Sequence, residues 1–272
     1  TYRKQTTLTR LLKARTTTLF LVILVISAGL AILQPRFLDA ENLTSVIMGM
    51  TYDLLMAMGM TIVLILGGID LSVGSVLGLS GVVITMLLSQ HVAGGTVPIP
   101  VAVCAGLVVA ATCGAFNGIG VARLKIAPFI VTLSMMSIAR GLSTVLTSGW
   151  FVSGLPESYL AIGQGMLLGV PYPIYITLCI LFVLSYLLKN WKPLSQIFYI
   201  GSNPRAAELS GIRVTFITFW GYVISSLLAG IAGIFMTSRL AMGFFQFGLG
   251  AELNAIAAAV IGGASFAGGA GD

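Results

Sequence analysis

Long apolar runs, separated by short polar stretches, dominate the pattern along this chain. Most runs extend for roughly 20 residues, the length that a helix needs to cross about 30 Å of hydrocarbon. They lack the alternation of apolar and polar positions that is typical of transmembrane β-strands. The pattern predicts an all-α, polytopic transmembrane helical bundle with about eight spans, at residues 17–33, 43–66, 71–89, 99–121, 128–146, 172–188, 214–236 and from about 252 onward.

Composition supports the bilayer as the solvent of this chain. Hydrophobic residues make up 57% of the 272 residues, and charged residues only 8%. The mean hydropathy is +1.04. A soluble domain carries about 25% charged residues. This chain therefore has too few polar groups to cover a surface that faces water.

The basic residues indicate the orientation of the chain. Eleven of the fourteen Lys and Arg residues fall in three places that share one side of the membrane if the spans alternate. By the positive-inside rule this side is the cytoplasm, so the N-terminus is predicted to be cytoplasmic. The net charge of +6 is then a topology signal, and we expect no nucleic-acid partner. The three clusters are Arg3, Lys4, Arg10, Lys13 and Arg15; Arg123 and Lys125; and Lys189, Lys192, Arg205 and Arg213.

No motif in the chain points to catalysis. His91 has no partners at the spacing of a metal site, and neither a phosphate-binding loop nor a paired-cysteine pattern occurs. Cys104, Cys113 and Cys179 lie within apolar runs, where we expect small buried side chains. We therefore predict no catalytic residue and no metal ligand, which argues against a membrane-embedded enzyme.

The stretch "GGIDLSVGS" (67–75) places a carboxylate and hydroxyls between two apolar runs. Glycines allow the backbone to leave a helix there, which is tolerated within a membrane only where protein or water satisfies the freed polar groups. We expect Asp70 to cap a helix that starts at Leu71. The stretch is predicted to be a polar break that lines a translocation path. The path residues proposed here are Gly67, Gly68, Asp70, Ser72 and Ser75.

Two further features concern the apolar runs. "LGGIDLSVG" (66–74) can be aligned with "IGGASFAGG" (261–269), as in transporters with duplicated halves, although chance glycine matches explain the alignment nearly as well.

Charges within spans face protein or water. For Asp53 and Arg140 we favour structural roles over substrate contact, and for Arg140 an ion pair or a contact to backbone carbonyls.

The cytoplasmic loop 189–213 contains "NPRAAELSGI". An Asn-Pro turn precedes helix formers, and a glycine then favours a stop. The pattern predicts a short helix along the cytoplasmic face, which is either a docking element for a partner or a plain connecting helix. The residues concerned are Asn203, Pro204, Arg205, Ala206, Ala207, Glu208, Leu209 and Gly211.

Four stretches together resemble one family. "GGIDLSVGS" (67–75), "APFIVTLSMMSIARG" (127–141), "IGSNPRAAELSGI" (200–212) and "GLGAELNAIAAAVIGGASFAGGAG" (248–271) are similar to the membrane permeases of bacterial ABC sugar importers. The branch includes ribose, xylose and galactose permeases and the autoinducer-2 system. Order and spacing match over nearly the whole chain. The resemblance favours docking as the role of the 203–211 helix.

The resemblance implies a multi-pass subunit of the bacterial inner membrane. Its expected partners are a second permease copy or a sister permease, cytoplasmic ATP-binding subunits and a periplasmic sugar-binding protein, besides membrane lipid. The chain itself is expected to hold no cofactor, because the ATPase binds ATP and Mg²⁺. Asn254, at a position that is usually acidic in the family, is expected in the path. Residues 1–272 would form a single permease domain, with one or two further helices expected after Asp272.

One alternative from another class stays open. An ion-coupled secondary transporter of small polar solutes would use buried acidic or polar groups, and Asp53 and Asp70 are candidates. Such a carrier needs no docking helix in a cytoplasmic loop. Co-purification with an ATPase separates the two classes.

Overall fold

The computed structural model describes residues 15–271, and helices account for nearly all of the regular structure in that range. The N-terminal basic residues before Arg15, and Asp272, lie outside the described residues. The chain divides into two compact units, one up to Ile47 and one from Met48 onward. The first unit holds α1 (Arg15–Leu33), a short 3₁₀ turn (Pro35–Leu38) and the first residues of α2 (Ala40–Ile65).

The second unit holds the rest of α2 and the remaining elements. These are α3 (Val73–Leu88), α4 (Ile99–Gly118) with a π-helical end (Ile119–Arg123), α5 (Pro128–Thr147), α6 (Glu157–Gln164), a two-residue hairpin of β1 (Met166–Leu167) and β2 (Val170–Pro171), α7 (Tyr172–Asn190), α8 (Lys192–Ser202), α9 (Pro204–Leu209), α10 (Val214–Leu240) and α11 (Ala251–Ile261).

The helices lie where the apolar runs predicted them. Within residues 15–271, five helical segments are long and apolar enough to cross a membrane, namely Ala40–Ile65, Ile99–Arg123, Pro128–Thr147, Tyr172–Asn190 and Val214–Leu240. Three shorter apolar helices occupy the other predicted positions, at Phe20–Leu33, Val73–Leu88 and Ala251–Ile261. The architecture is that of a polytopic helical membrane protein.

Proline and left-handed residues set many of the helix boundaries. A proline stands in the first turn of α4, α5, α7, α8 and α9, where its missing N–H costs no intrahelical hydrogen bond. Ser148 after α5 and Ala241 after α10 have positive φ. A left-handed residue at this place turns the chain out of the helix.

Glycines bring the helices of the second unit close together. Gly114 and Gly118 have the four-residue spacing that lets helix backbones approach closely, and the structure shows such an approach. A Cβ built on Gly114 would lie 2.8 Å from the Val223 Cα of α10, and one on Gly118 would lie 2.8 Å from the Phe219 carbonyl oxygen. α10 therefore packs along α4 backbone to backbone.

Three features went beyond the sequence prediction. The segment between the predicted spans 128–146 and 172–188 contains α6, whose Tyr159 hydroxyl lies 2.7 Å from Thr237 Oγ1 of α10, and the small β1–β2 hairpin. The 189–213 stretch holds two helices, α8 and α9, where one was predicted. Of the three cysteines, only Cys113 is buried as expected, whereas Cys104 and Cys179 lie on exposed faces of α4 and α7.

Candidate translocation break and docking helix

α2 ends in a motif that needs glycine. The Gly67 N–H donates to the Leu64 carbonyl (2.8 Å) and the Gly68 N–H donates to the Val63 carbonyl (2.9 Å). Gly67 has φ +80°. This pair of bonds around a left-handed residue is the Schellman C-cap, which glycine adopts without a Cβ clash. The predicted break in the helix is therefore present, and it begins at Leu66.

Gly68 meets a second constraint, which is steric. A Cβ built on it would clash with the Tyr222 hydroxyl of α10, and it would also lie 3.3 Å from Val63 Cγ1. Because Gly68 does not have a positive φ, its requirement is space and not backbone conformation. The break and α10 thus contact at this residue.

Asp70 is fully buried, and its carboxylate accepts hydrogen bonds from three residues. Oδ1 accepts from the Ser72 N–H (3.0 Å), from the Ser72 hydroxyl (2.6 Å) and more weakly from Asn117 Nδ2 (3.5 Å). Oδ2 accepts from the Ser225 hydroxyl at 3.0 Å. A buried charge needs such donors, since nothing else replaces water. The residues of the break are therefore bound to α4 and α10.

The predicted helix start at Leu71 is wrong. α3 begins at Val73, so Ser72 takes the N-cap position, and its side chain makes no capping bond. Asp70 instead accepts from the Ser72 N–H just before the helix. A side chain that bonds the backbone two residues on is a local turn typical of Asp, which competes with an earlier helix start.

The Asp70 cluster contains polar residues that the sequence reasoning missed. We use this name for Asp70, Ser72, Asn117 and Ser225. Asn117 Nδ2 also donates to Ser72 Oγ at 2.8 Å, and Gly59 of α2 packs against Ser225. Asn117 and Ser225 are polar residues in the middle of apolar runs, and this is the signal that would have pointed to them.

The cluster lies well inside the helical bundle. Gly59 stands six residues before the end of α2, and Ser225 eleven residues after the start of α10. At 1.5 Å per residue these positions are about 9 Å and about 17 Å from the helix ends. Asp70, Ser72 and Ser75 are all buried. In this conformation the cluster is closed, and it joins the α2–α3 break to α4 and α10.

Several polar atoms in the same interior have no hydrogen-bond partner within the described chain. They are Ser75 Oγ, Asn117 Oδ1, Tyr222 Oη and Ser226 Oγ. Unpaired buried groups are costly and few in native proteins. The interior around the break therefore contains more polar atoms than this conformation uses in hydrogen bonds. Across residues 15–271, no group of His, Cys, Asp and Glu side chains could hold a metal ion.

The two aligned stretches, 66–74 and 261–269, touch each other. The Gly269 N–H donates to the Ile65 carbonyl at 2.8 Å, and a Cβ on Gly268 would lie 3.1 Å from Gly67 Cα. Gly201 of α8 lies against the end of α2 and against Gly269, since its Cβ would meet the Ile65 carbonyl and the Gly269 nitrogen. The glycines at this point allow three backbones to approach.

An irregular segment, 241–250, lies along α3. Its Phe247 and Gly248 carbonyls lie against Gly78 and Gly74, where a Cβ would clash. Arg140 of α5 donates through Nη1 to the Phe245 carbonyl (2.5 Å) and the Phe247 carbonyl (2.8 Å). The predicted carbonyl contact of Arg140 is thus confirmed. Its guanidinium satisfies backbone groups that helical bonds leave free.

Asn254 lies in a different part of the structure from Asp70. It is exposed on α11, and its side chain lies near the carboxylate of Asp53 of α2. Asp53 lines a cavity of about 460 Å³ between α2, α7 and α11, together with Thr61 and Ser185. None of the hydrogen bonds made by Asp70 in the described chain reaches Asn254. The six predicted path residues therefore lie in two places.

The predicted short helix is present as α9. Asn203 caps it, because its Oδ1 accepts from the N–H groups of Arg205 (3.1 Å) and Ala206 (3.0 Å). Pro204 occupies the first helical position, and Gly211 has φ +81°. Ala207 alone is buried, and Leu209 is 85% exposed. A cavity of about 430 Å³ opens beside α9, lined by Tyr199, Ser202 and Ser210 among others.

Comparison with known proteins places these features in a family. A model described as "Branched-chain amino acid transport system / permease component" matches residues 42–270. The ribose import permease of Bacillus subtilis is 38% identical over 93% of this chain and 76% of its own length. The L-arabinose ABC transporter permease of Azospirillum brasilense is 33% identical over 92% and 72%.

A third relative is the autoinducer 2 import permease of Escherichia coli O157:H7, which is 33% identical over 94% of this chain and 74% of its own length. No solved structure matches the chain. The match of the family model includes the break, the irregular segment and α9. The chain belongs to the family of transport-system permease components that this model describes.

Proposed function

We propose that this chain is the membrane permease subunit of a bacterial ATP-driven importer of a sugar or a similar polyol. The observation that carries the proposal is its similarity to ribose, arabinose and allose permeases along more than nine-tenths of its length. The subunit lies in the inner membrane with eight membrane segments and a cytoplasmic N-terminus. The positive-inside rule supports this orientation.

The partners follow from the same proposal. ATP and Mg²⁺ bind to a separate cytoplasmic ATPase, a periplasmic binding protein delivers the sugar, and a second permease copy or a sister permease completes the path. α9 is the docking element for the ATPase. A capped, exposed helix beside a cavity supports this role, because it offers a rigid projecting surface to a groove on a partner.

The path runs past two polar regions of the chain. One is the cavity lined by Asp53, whose carboxylate lies near Asn254, and the other is the Asp70 cluster. A carboxylate within a membrane span faces protein or a water-filled cavity, and the roughly 460 Å³ beside Asp53 has room for water. The Asp70 cluster is closed in this conformation. It contributes to the path when the break moves and the unpaired hydroxyls of the neighbouring Ser75, Tyr222 and Ser226 become accessible.

Reconstitution tests the proposal directly. The chain is co-expressed with its candidate ATPase and sister permease, placed in proteoliposomes and supplied with a binding protein loaded with ribose, arabinose or allose. We expect co-purification of the ATPase and uptake that requires ATP. Uptake that proceeds without ATP and follows an imposed proton or sodium gradient would show a secondary transporter instead.

Charge reversal tests the docking role of α9. The double variant Arg205→Glu/Glu208→Arg should reach the membrane in normal amount but lose ATPase association and ATP-driven uptake. The matched control is Lys189→Glu, at the end of α7, which should keep both. If the double variant binds the ATPase and transports normally, α9 is only a connector.

A further inference from the structure

A large cavity opens where the end of α4 meets the start of α10. Its volume is about 730 Å³. The lining combines the π-helical end of α4, the first turns of α10 and one residue of α9. The residues that matter for its chemistry are Ile119, Arg123, Glu208, Arg213, Phe216 and Phe219.

Two guanidinium groups give the cavity its positive character. Arg123 ends the π-helical segment, and Arg213 is the N-cap residue of α10. Both are exposed, and in residues 15–271 neither is ion-paired to a carboxylate. Glu208 is the single carboxylate among the lining residues. The lining is thus net cationic, and it complements an anion with several oxygen acceptors.

The arginine from α10 is held in place by an aromatic ring. Its Cζ lies 5.1 Å from the centroid of the Phe216 ring, within the range of a cation–π contact. Phe216 in turn packs edge-to-face on Trp220, with 6.2 Å between the ring centroids. The exposed guanidinium therefore lies over an aromatic ring.

The rest of the cavity is apolar and open. Phe216 is 49% exposed and Ile119 is 41% exposed. Phe219 forms the inner wall, pressed against Gly118. A free phosphate ion would leave this surface uncovered. An amphipathic ligand, with an anionic head and a hydrocarbon tail, fits both parts of the lining.

The position of the cavity favours a lipid as that ligand. The arginines stand at adjacent ends of two candidate membrane spans, Ile99–Arg123 and Val214–Leu240. Arginines and aromatic rings at span ends lie at the level of the headgroups. Basic pockets between transmembrane helices on the cytoplasmic side bind anionic headgroups.

We infer that this cavity binds an anionic phospholipid of the cytoplasmic leaflet. The phosphodiester lies between Arg123 and Arg213, and an acyl chain runs over Ile119 and Phe216. Glu208 of α9 bounds the site, so the lipid touches the same short helix that is proposed to dock the ATPase. Phosphatidylglycerol is the probe for this chemistry.

Native mass spectrometry of the full-length permease in detergent tests the inference. Phosphatidylglycerol, phosphatidylethanolamine or inorganic phosphate is titrated into the delipidated protein. We expect phosphatidylglycerol to bind selectively and the double variant Arg123→Gln/Arg213→Gln to bind it more weakly, by roughly fivefold for each arginine removed. The matched control, Lys189→Gln/Lys192→Gln, removes two basic residues outside the cavity lining and should bind like the wild type.

A variant that is expected to bind the lipid more tightly controls for misfolding. Glu208→Gln removes the repulsive charge and should raise the affinity for phosphatidylglycerol by about twofold to fivefold, which a misfolded protein would not do. Equal binding by the wild type, the double variant and Glu208→Gln would overturn the inference. Competition by inorganic phosphate at similar concentration would show a simple anion site. Unchanged lipid binding with lost ATPase association in the double variant would show a protein interface instead.

Discussion

At the scale of single residues, the α2–α3 break depends on three different demands. Gly67 supplies a backbone conformation, and Gly68 supplies space beside the Tyr222 hydroxyl. Asp70 supplies acceptors for Ser72, Asn117 and Ser225. A substitution at each position should therefore fail for its own physical reason, and the reasons can be separated.

We predict that Gly68→Ala destabilises the protein by about 1–3 kcal/mol, because the added methyl group forces Tyr222 to move. The measurement is thermal unfolding of the purified permease in detergent. Gly49→Ala is the matched control, since a Cβ on Gly49 of α2 would have nothing within 4 Å. It should be neutral or slightly stabilising. Equal melting temperatures for both variants would contradict the close contact at Gly68.

At Asp70, the size of the effect should depend on whether an acceptor remains. Asp70→Leu leaves the Ser72 N–H and the Ser225 hydroxyl without their partner, at about 1–3 kcal/mol for each orphaned group. Asp70→Asn keeps one oxygen for Ser72, and its new amide can donate to Ser225. We expect Asp70→Leu to lower the melting temperature much more than Asp70→Asn. If Asp70→Asn unfolds the protein as readily, the negative charge itself is required.

At the scale of elements, α8 and α9 show which helices are determined by the residues of their own segment. α9 follows from an Asn-Pro start and a glycine stop within nine residues, and its cap is formed as the sequence suggests. α8 carries Leu194, Ile197 and Ile200 at a three-residue spacing, and all three are buried. That spacing was a readable signal for a helix, but the basic residues beside it favoured a loop.

For α9 we predict a specific dependence on its cap. Asn203→Ala removes the oxygen that accepts from Arg205 and Ala206, which costs about 0.5–2 kcal/mol, a large loss for a helix of six residues. The ATPase should bind more weakly, with little change in the melting temperature of the permease. Asn203→Asp retains a capping oxygen and should restore binding, and failure of this rescue would argue against the cap.

At the scale of the whole molecule, the sequence predicted the positions of the helices but not their long-range partners. Apolar runs of sufficient length leave little choice in a bilayer, so the helices were found with boundaries a few residues off. The partners of Asp70 lie 47 and 155 residues away, in Asn117 and Ser225. No local pattern encodes such pairs. The packing of 241–250 along α3 could not be predicted for the same reason, since its contacts with Gly74 and Gly78 are more than 150 residues apart in sequence.

The orientation of the whole chain leads to a labelling prediction. In a cysteine-free background, single cysteines at Ser202 and Lys125 should be shielded from impermeant thiol reagents outside intact cells, and one at Ser158 should react. All three positions are exposed in the structure, so access depends on the side of the membrane. The cysteine-free background is needed because Cys104 and Cys179 are exposed. Outside labelling of Ser202 would contradict the topology.

The contact of Arg140 with the Phe245 and Phe247 carbonyls can form only late in biosynthesis. The partners are 105 and 107 residues apart along the chain. At about 5–20 residues per second, the ribosome needs roughly 5–20 s to make that stretch. During this interval α5 carries a charge that costs about 2.5–3.5 kcal/mol near the bilayer centre. Until the Phe245 and Phe247 carbonyls have been synthesised, the Arg140 guanidinium therefore needs another polar environment, either at the insertion machinery or against a temporary partner.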